Sequence, residues 1–332
     1  MSTQDQSTPL VSVILLNWNG RKYIEQCIQS VLAQDYANIQ LIVVDNGSRD
    51  DSLDTIRAKY PQLPLLTNER NLGFARGMNQ GIEAAHGRYV LPLNMDVILD
   101  RGYIAAAVAA FDTDGEVGAV GGSIYSISNN QLTNTPHQGE AGGVLLRKRF
   151  QGYEAGRIAE RKYVLGVAGS CPVLRRAMLD DVRLATGDYY DELYFSGWED
   201  LDLWLRMQLR GWTCLHVPEA IAWHEGSGSV DGRDRLISKP PWYQVHVLKN
   251  RYITIIKDLP RGILLRLLPF LIITEFGLLP YFFVKSRATA VSLLKAWRQV
   301  ANLLPEILRK RRVVQASRKV SADHLWRFLG PF

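Results

Sequence analysis

The segment GRYVLPLNMDVIL, residues 87–99, is a long apolar run that contains two polar side chains. Its apolar residues predict a buried strand and a continuation of that strand. Asn94 and Asp96 lie within this run, where a carboxylate is costly unless a partner compensates its charge. The segment therefore predicts a strand whose end carries a ligand-binding carboxylate.

The chain before this segment repeats the pattern of an apolar run that ends in polar residues. Strands are predicted at 11–19, 39–45 and 63–68, and helices at 21–34, 51–60 and 73–86. Strands that alternate with helices at short intervals, and that are almost continuously apolar, are typical of a mostly parallel sheet covered on both faces. The sequence therefore predicts an α/β fold.

Five polar side chains lie at the predicted strand ends, namely Asn17, Asp45, Asn46, Asn94 and Asp96. Ligands of such sheets bind outside the carboxyl ends of the strands, so we expect these side chains to share one crevice. Asn94 and Asp96 point the same way in an extended segment, and their oxygen atoms suit a hard divalent cation. Asp45 is placed to accept hydrogen bonds from a base or a ribose.

A second group of candidate residues lies in and after the segment YFSGWEDLDLWLRMQLRGW at 194–212. Its spacing predicts a helix that begins at Ser196 or Gly197. Glu199 and Asp200 then lie in the first turn, where the helix dipole stabilises acids whether or not they have a function. His224, considered alone, is compatible with a structural histidine as well as with a ligand.

Composition limits the cellular context. The chain has 332 residues, enough for one large domain with an appendage or for two domains. Its 3 widely spaced cysteines support neither a disulfide framework nor a CxxC metal site, and they fit a reducing, cytosolic compartment. The stretch MSTQDQSTPL at the N-terminus lacks the basic-then-apolar pattern of a secretion signal.

Positive charge is concentrated at the C-terminus. Residues 249–332 contain 16 Lys and Arg against 4 Asp and Glu, although the net charge of the whole chain is only +6. Residues 262–284 form the most apolar stretch, which is long enough to span a bilayer but contains Arg266, Glu275 and two prolines. We therefore expect one helix, or a broken pair of helices, that lies in a membrane interface or packs in a dimer.

Basic residues flank this apolar stretch, including RKRR at 309–312, and favour an anionic membrane surface. The alternative is that these helices cover the first domain or form a homo-oligomer contact. Nucleic-acid binding is not expected, because the basic residues are interleaved with Leu, Ile and Phe and no nucleic-acid motif is present. The segment SKPPWY predicts a boundary that separates a domain at 1–240 from a basic, amphipathic helical region at 241–332.

Six segments of the chain follow one another in an informative order. They are VSVILLNWNG, LIVVDNGSRDDS, NLGFARGMNQGI, VLPLNMDVIL, GWEDLDLWLR and WHEGSGS. This order resembles the family 2 glycosyltransferases of the GT-A fold, and most of all their bacterial rhamnosyltransferase-like branch, over about residues 10–230. The resemblance implies a GT-A, Rossmann-like sheet with flanking helices and a C-terminal α-helical, membrane-associating extension.

The resemblance also implies that nine positions bind a nucleotide-diphosphate sugar donor. They are Asn17, Asp45, Asn46, Asn71, Gly73, Arg76, Asn79, Asn94 and Asp96. Asn17 and Asp45 would line the nucleotide pocket, with Asp45 hydrogen-bonded to the pyrimidine. The positions from Asn71 to Asn79 would pass beside the ribose and the phosphates.

The metal site and the catalytic base are implied in the same way. Asn94 and Asp96 match the Asp-x-Asp motif of the family, whose first Asp is replaced here by Asn, so that Asp96 would carry the metal contact. His224 matches a position that completes the metal or diphosphate site. Asp200 matches the catalytic base, and Glu199 lies beside it.

The implied reaction is a metal-dependent sugar transfer with inversion at the anomeric carbon. Mg²⁺ or Mn²⁺ would neutralise the leaving diphosphate, and one carboxylate would take the proton of the acceptor hydroxyl. The expected sugar is rhamnose from dTDP-rhamnose, and the expected acceptor is a lipid-linked saccharide in the synthesis of a bacterial surface polysaccharide such as O-antigen. The protein would be peripheral or monotopic at the cytoplasmic face of the inner membrane. The alternatives are a transferase for UDP-linked glucose, galactose or N-acetylhexosamine, and an inactive sugar-nucleotide-binding scaffold.

Overall fold

The computed structural model describes residues 8–128, 131–137, 142–154, 158–226 and 236–330. Its strands are β1 (Val11–Asn17), β2 (Ile39–Asp45), β3 (Leu65–Thr67), β4 (Tyr89–Asn94), β5 (Val97–Leu99), β6 (Val117–Ser128), β7 (Gln131–Pro136), β8 (Val144–Arg147), β9 (Gln151–Glu154), β10 (Lys162–Val164), β11 (Val173–Arg175) and β12 (Thr213–His224). Its helices are α1 (Ile24–Leu32), α2 (Ser52–Lys59), α3 (Phe74–Glu83), α4 (Tyr103–Ala110), α5 (Arg176–Val182), α6 (Glu199–Leu209), α7 (Pro241–Asp258), α8 (Arg261–Lys285), α9 (Arg287–Ala316) and α10 (Ala322–Trp326).

Most strands belong to one central sheet, in the order β10-β12-β6-β11-β4-β1-β2-β3, with β5 beside β12 and β7 beside β6. The strands β3, β2, β1 and β4 are parallel to one another, as are β6 and β12. Strand β11 runs antiparallel between β4 and β6, and β8 and β9 form a separate hairpin. The predicted central sheet with flanking helices is confirmed, but the sheet is mixed, because its parallel half from β3 to β4 continues into a half in which most pairs are antiparallel.

The parallel half of the sheet is held by apolar packing on both faces. Val13 and Leu15 of β1 belong to the apolar core that includes α1, and Ile14 between them belongs to the core that includes α3. A glycine lets α3 approach the sheet closely, because a Cβ at Gly81 would lie 2.2 Å from Cγ2 of Ile14. The polar side chains at the carboxyl ends of these strands lie beyond this apolar packing.

The apolar run at 87–99 forms two strands. Strand β4 ends at Asn94, a turn follows, and β5 pairs antiparallel with β12, with Val97 opposite His224. The predicted continuation is therefore a separate strand, because its partner is the distant β12 and not the neighbours of β4. This pairing brings Asp96 to the end of β12.

Helix α6 begins at Glu199, so the predicted start at Ser196 or Gly197 is wrong. Phe195, Gly197 and Trp198 have φ values of 61°, 84° and 74°, which no right-handed helix accommodates. Two of these three residues are not glycine, so the backbone before α6 is strained. The helical spacing of apolar residues could not predict this left-handed segment, because the spacing carries no information on the sign of φ.

Helix α8 is one continuous helix through Pro269 and Pro280, so of the two predicted alternatives the single helix is formed and the broken pair is not. Glu275 in its middle is paired with Arg251 of α7 at 2.6 Å and also accepts a hydrogen bond from the hydroxyl of Tyr252. By length and apolar composition, α8 could cross a membrane, and only 17% of its most apolar window is buried. Its apolar side chains therefore face mostly outward.

A buried cluster of charges joins α7 and α9 to the sheet domain. Nζ of Lys257 lies 2.5 Å from a carboxylate oxygen of Asp191 and 2.5 Å from one of Asp202. Lys310 of α9 reaches Asp191 at 2.6 Å, and Arg206 reaches Asp202 at 2.8 Å. Burial acts to raise the pKa of Asp191, but Lys257 and Lys310 outweigh it and lower that pKa.

The prediction that RKRR at 309–312 faces a membrane is wrong for two of its four residues. Lys310 is buried in the charge cluster, with 6% of its side chain exposed. Arg311 donates hydrogen bonds to the carbonyl oxygens of Ile256 and Leu259, at 2.5 and 2.8 Å. Lys310 attaches α9 to Asp191 and Arg311 attaches it to the end of α7, so these two charges are not available to a lipid surface.

Candidate active site

A crevice of about 320 Å³ lies at the carboxyl ends of β1 and β4. A first group of lining residues follows the parallel strands and consists of Leu16, Trp18, Asn46, Asn71, Gly73, Phe74, Asn94, Met95 and Asp96. A second group comes from later in the chain and consists of Gly169, Ser170, Phe195, Ser196, Gly197, Trp198, Glu199, Asp200, His224, Lys239, Trp242 and Tyr243. The crevice thus brings together candidate residues from both halves of the sequence.

Asn17 and Asp45, at the ends of β1 and β2, are buried next to the crevice and are not among its lining residues. Nδ2 of Asn17 donates to Oδ1 of Asp45 at 2.7 Å and to the hydroxyls of Ser48 and Ser52. Oδ2 of Asp45 accepts from the backbone N–H of Ser48 at 3.1 Å. These bonds shape the loop after β2, and direct nucleotide contact by the two residues stays a prediction.

Asn46 connects the first strands to the loop before α3. Its Nδ2 donates to Oδ1 of Asn71 at 3.1 Å and to the carbonyl oxygen of Gly73 at 3.0 Å. Gly73 has a φ of +88°, and a Cβ there would lie 2.6 Å from the ring and the carbonyl oxygen of Phe195. A side chain at position 73 would therefore push the two groups of lining residues apart.

Two further predicted donor residues, Arg76 and Asn79, also lie outside the crevice lining. Arg76 is more than half exposed and lies 3.9 Å from a carboxylate oxygen of Glu192. Asn79 is buried and forms a pair of hydrogen bonds with the backbone of Tyr190, each of 2.8 Å. Asn79 therefore fastens α3 to the segment that precedes α6.

Asp96 and His224, from distant parts of the chain, lie side by side. Nε2 of His224 is 3.2 Å from Oδ1 of Asp96, and both side chains are almost fully buried. Asn94 lines the crevice next to them. No group of three or more His, Cys, Asp or Glu side chains that could hold a metal occurs among the residues that the structure describes. Asp96 and His224 supply one carboxylate and one imidazole, so a cation held there would take its other ligands from water and from oxygen atoms of the donor.

Glu199 and Asp200 lie in the first turn of α6, as predicted, but in different environments. Glu199 is 8% exposed, and within the described chain its Oε2 has no hydrogen-bond partner. Burial, together with the charge of Asp200, raises the pKa of Glu199 to about 8. Asp200 is more exposed and rests against Gly169, where a Cβ would lie 2.7 Å from its Oδ2. For Glu199, burial outweighs the helix dipole, which would favour the ionised acid.

The strained segment before α6 is held from α7. Nδ2 of Asn250 donates to the carbonyl oxygens of Tyr194, Ser196 and Gly197, at 2.8, 3.1 and 2.7 Å. Asn250 is fully buried. Helix α7 therefore positions the turn that leads to Glu199, although it lies beyond the predicted boundary at residue 240.

Several lining residues were not predicted to have a role in the site. Gly169 and Ser170 belong to a segment in which no element and no site residue was predicted, and Lys239, Trp242 and Tyr243 belong to the segment that predicted only a boundary. The one sequence signal in that segment was the pair of aromatic residues, Trp242 and Tyr243, directly after two prolines. Trp18 directly follows the end of β1, where side chains with a role in the crevice were already expected.

Comparison with known proteins identifies relatives of this chain. Residues 12–183 match the family described as Glycosyl transferase family 2. An N-acetylglucosaminyl-diphospho-decaprenol L-rhamnosyltransferase of Mycobacterium tuberculosis is 26% identical over 250 residues, which cover 68% of this chain and 79% of that protein. An uncharacterised glycosyltransferase of Haemophilus influenzae is 30% identical over 119 residues. That second alignment spans 35% of this chain and 37% of its relative.

A solved structure has a similar fold. It is the mannosyltransferase PcManGT of Pyrobaculum calidifontis in complex with GDP-Man and Mn²⁺. The superposition has a TM-score of 0.53 at 17% identity and covers 97% of this chain and 86% of that protein. At this identity, the likeness concerns the fold alone.

Proposed function

The chain belongs to glycosyl transferase family 2, and we propose that it moves L-rhamnose from dTDP-rhamnose to a lipid-linked saccharide. It is a glycosyltransferase with a GT-A-like mixed α/β fold. The observation that carries the choice of sugar and acceptor is the similarity to the mycobacterial L-rhamnosyltransferase over 68% of this chain. The name of that relative specifies an acceptor in which a saccharide is joined through a diphosphate to decaprenol.

Asp200 is the general base of the proposed reaction. The acceptor hydroxyl attacks the anomeric carbon from the face opposite the nucleotide diphosphate, the bond from that carbon to the diphosphate breaks, and the hydroxyl proton passes to the carboxylate of Asp200. One displacement without a covalent intermediate inverts the anomeric configuration. Support comes from the position of Asp200 on the crevice, beside a more deeply buried Glu199 whose raised pKa favours its neutral form.

The donor lies along the strand-end residues in this proposal. Asn46, Asn71, Gly73 and Asn94 line the crevice there. Asp96 and His224 would hold a divalent cation against the donor diphosphate. A bound Mg²⁺ or Mn²⁺ supplies Lewis-acid neutralisation of the negative charge that develops on the leaving group. The 3.2 Å distance between Nε2 of His224 and Oδ1 of Asp96 supports this assignment, because both atoms could bind the same cation.

The two parts of the chain take different roles in this proposal. Residues 1–240 carry the transferase fold, and residues 241–332 bring it to the cytoplasmic face of the inner membrane, where lipid-linked acceptors of surface polysaccharides are extended. Support comes from the outward-facing apolar side chains of α8 and from the basic residues at its ends. Phe276 and Val284 are each 81% exposed.

A donor screen tests the proposed function. Purified protein is titrated with dTDP-rhamnose, UDP-glucose, UDP-galactose and UDP-N-acetylglucosamine, each with Mg²⁺, Mn²⁺ or EDTA. We expect preferential, metal-dependent binding and slow hydrolysis of dTDP-rhamnose. Preference for a UDP-sugar would contradict the choice of rhamnose and leave the transferase assignment intact.

Substitution of the proposed base tests the mechanism. Asp200→Asn is expected to lower turnover by about 10²–10⁴-fold, the usual contribution of a general base, with little change in donor affinity. Asp54→Asn, at an exposed acid on α2, is the matched control and should behave as wild type. Normal turnover of the Asp200 variant would remove this residue from the base role.

A further inference from the structure

The segment KPPWY, residues 239–243, forms part of the crevice surface. Lys239, Trp242 and Tyr243 all line the crevice, on the segment where α7 begins. Pro241 occupies the first turn of α7, where proline is well tolerated. Nε2 of Gln244 donates to the carbonyl oxygen of Lys239 at 2.8 Å and fixes the approach to the helix. The position of these side chains is therefore set by the backbone.

Trp242 is an unusual component of this surface, because a large part of its ring is open to solvent. It is 46% exposed. Its ring meets those of Tyr243 and His246 at 86° and 71°, so neither stacks flat upon it. His246 stacks instead on Phe195, with 4.8 Å between ring centroids. Burial and the charge of Lys249 lower the pKa of His246 to about 4, so Trp242 rests on neutral aromatic groups.

The neighbouring Tyr243 relates this aromatic surface to the two acids of α6. Burial, and the charges of Glu199 and Asp200, raise the pKa of Tyr243 to about 12. The stacking of His246 on Phe195, which lies just before α6, likewise places the surface on the α6 side of the crevice. The Asp96 and His224 pair belongs to the side formed by the ends of β4 and β12.

We infer that Trp242 and Tyr243 form the platform on which the terminal sugar ring of the acceptor lies. This inference rests on the proposed function, because a base takes its proton from the acceptor and the acceptor must therefore approach Asp200. Hexose rings present one face of C–H groups, which packs on an aromatic ring while the hydroxyls at the edge remain hydrogen-bonded. Among the aromatic side chains that line the crevice, Trp242 is the one whose ring is largely open to solvent, and it therefore offers such a face.

Direct binding of simple glycosides tests the platform separately from the transfer reaction. The probes are methyl glycosides of glucose, galactose, rhamnose and N-acetylglucosamine, titrated into the full chain and followed by saturation-transfer NMR. Trp242→Ala is expected to weaken the glycoside that wild type binds best by about tenfold, on the scale of one aromatic contact. Trp242→Phe should recover most of that affinity, and dTDP and UDP affinity should be the same in all three proteins.

Tyr163→Ala is the control, because Tyr163 is a similarly exposed aromatic residue, 47% exposed, on the edge strand β10. Circular dichroism and thermal unfolding confirm that each variant is folded. Equal glycoside affinity of Trp242→Ala and wild type, loss of nucleotide affinity in place of glycoside affinity, or no glycoside binding by wild type would overturn the platform. Wild type that binds glycosides through Trp242 but binds no nucleotide sugar would instead refute the proposed function.

Discussion

Helices α7 and α8 are consecutive in the chain but differ in which of their side chains are buried. Helix α7 buries polar and charged residues, including Lys249, Asn250 and Lys257, whereas α8 exposes Phe276 and Val284. The charge of Lys257 is compensated by Asp191 and Asp202 of the sheet domain. At Lys249, burial outweighs the charge of Asp191 and lowers the pKa to about 8. In this part of the sequence, the polarity of a residue therefore does not predict its exposure, because exposure depends on which other elements each helix packs against.

The largest effect is expected from breaking the charge cluster that holds α7. Lys257→Met leaves Asp191 and Asp202 buried with fewer compensating charges, which should lower the free energy of unfolding by about 3–5 kcal/mol. Urea denaturation measures this change in the free energy of unfolding. Lys285→Met, at the exposed end of α8, is the control and should change stability by no more than about 0.5 kcal/mol. Equal stability of the two variants would contradict the contrast between the helices.

A second prediction concerns Glu199, a buried acid without the cationic partners that the acids facing α7 have. Its pKa is raised in the folded protein from an ordinary value of 4.5 to about 8, so folding favours its protonated form. The raised pKa contributes to the free energy of unfolding in full below about pH 4.5, and this contribution is lost as the pH rises towards about 8. The loss is no more than about 1.4 kcal/mol per pH unit. The stability difference between Glu199→Gln and wild type should grow in favour of the variant over this range. The control Glu69→Gln, at an exposed acid, should show a flat difference, and a flat difference for both variants would disprove the shift.

The third prediction separates the positioning role of α7 from simple packing. Asn250→Ala removes the hydrogen bonds to the carbonyl oxygens before α6 and should lower stability by about 1–3 kcal/mol. Since that segment leads to Glu199 and Asp200, kcat should fall while donor affinity is retained. Asn38→Ala, at an exposed asparagine, should alter neither quantity. Loss of stability with unchanged kcat would limit Asn250 to a structural role.

The smallest effect on stability is expected at α8, where the change should appear in membrane binding. Phe276→Ser combined with Val284→Ser should reduce affinity for vesicles that contain anionic lipid by at least about tenfold, since apolar surface is lost from the lipid contact. The free energy of unfolding should stay close to that of wild type, because both side chains are 81% exposed. Leu32→Ser, at an exposed leucine of α1, is the control. Unchanged vesicle binding together with a smaller assembly by light scattering would assign this face to an oligomer contact.

Much of the N-terminal half could be predicted because its structure depends on local patterns. Apolar runs that alternate with helical spacing define the parallel strands, and polar residues follow those strands at Asn46 and Asn94. That Asp96 and His224 belong to one site could be predicted only from the resemblance to a known family. It depends on the pairing of β5 with β12, which joins residues 128 positions apart.

The sequence by itself determined the α/β class, the polar strand ends, the acidic first turn of α6 and the excess of positive charge near the C-terminus. Only the tertiary structure decided where that charge lies. Lys310 in RKRR is buried against Asp191, and the apparent boundary at KPPWY is a wall of the crevice. The physical reason is that apolar periodicity is a property of consecutive residues, whereas the free energy of a charge or an exposed aromatic ring depends on groups that only the folded chain brings beside it.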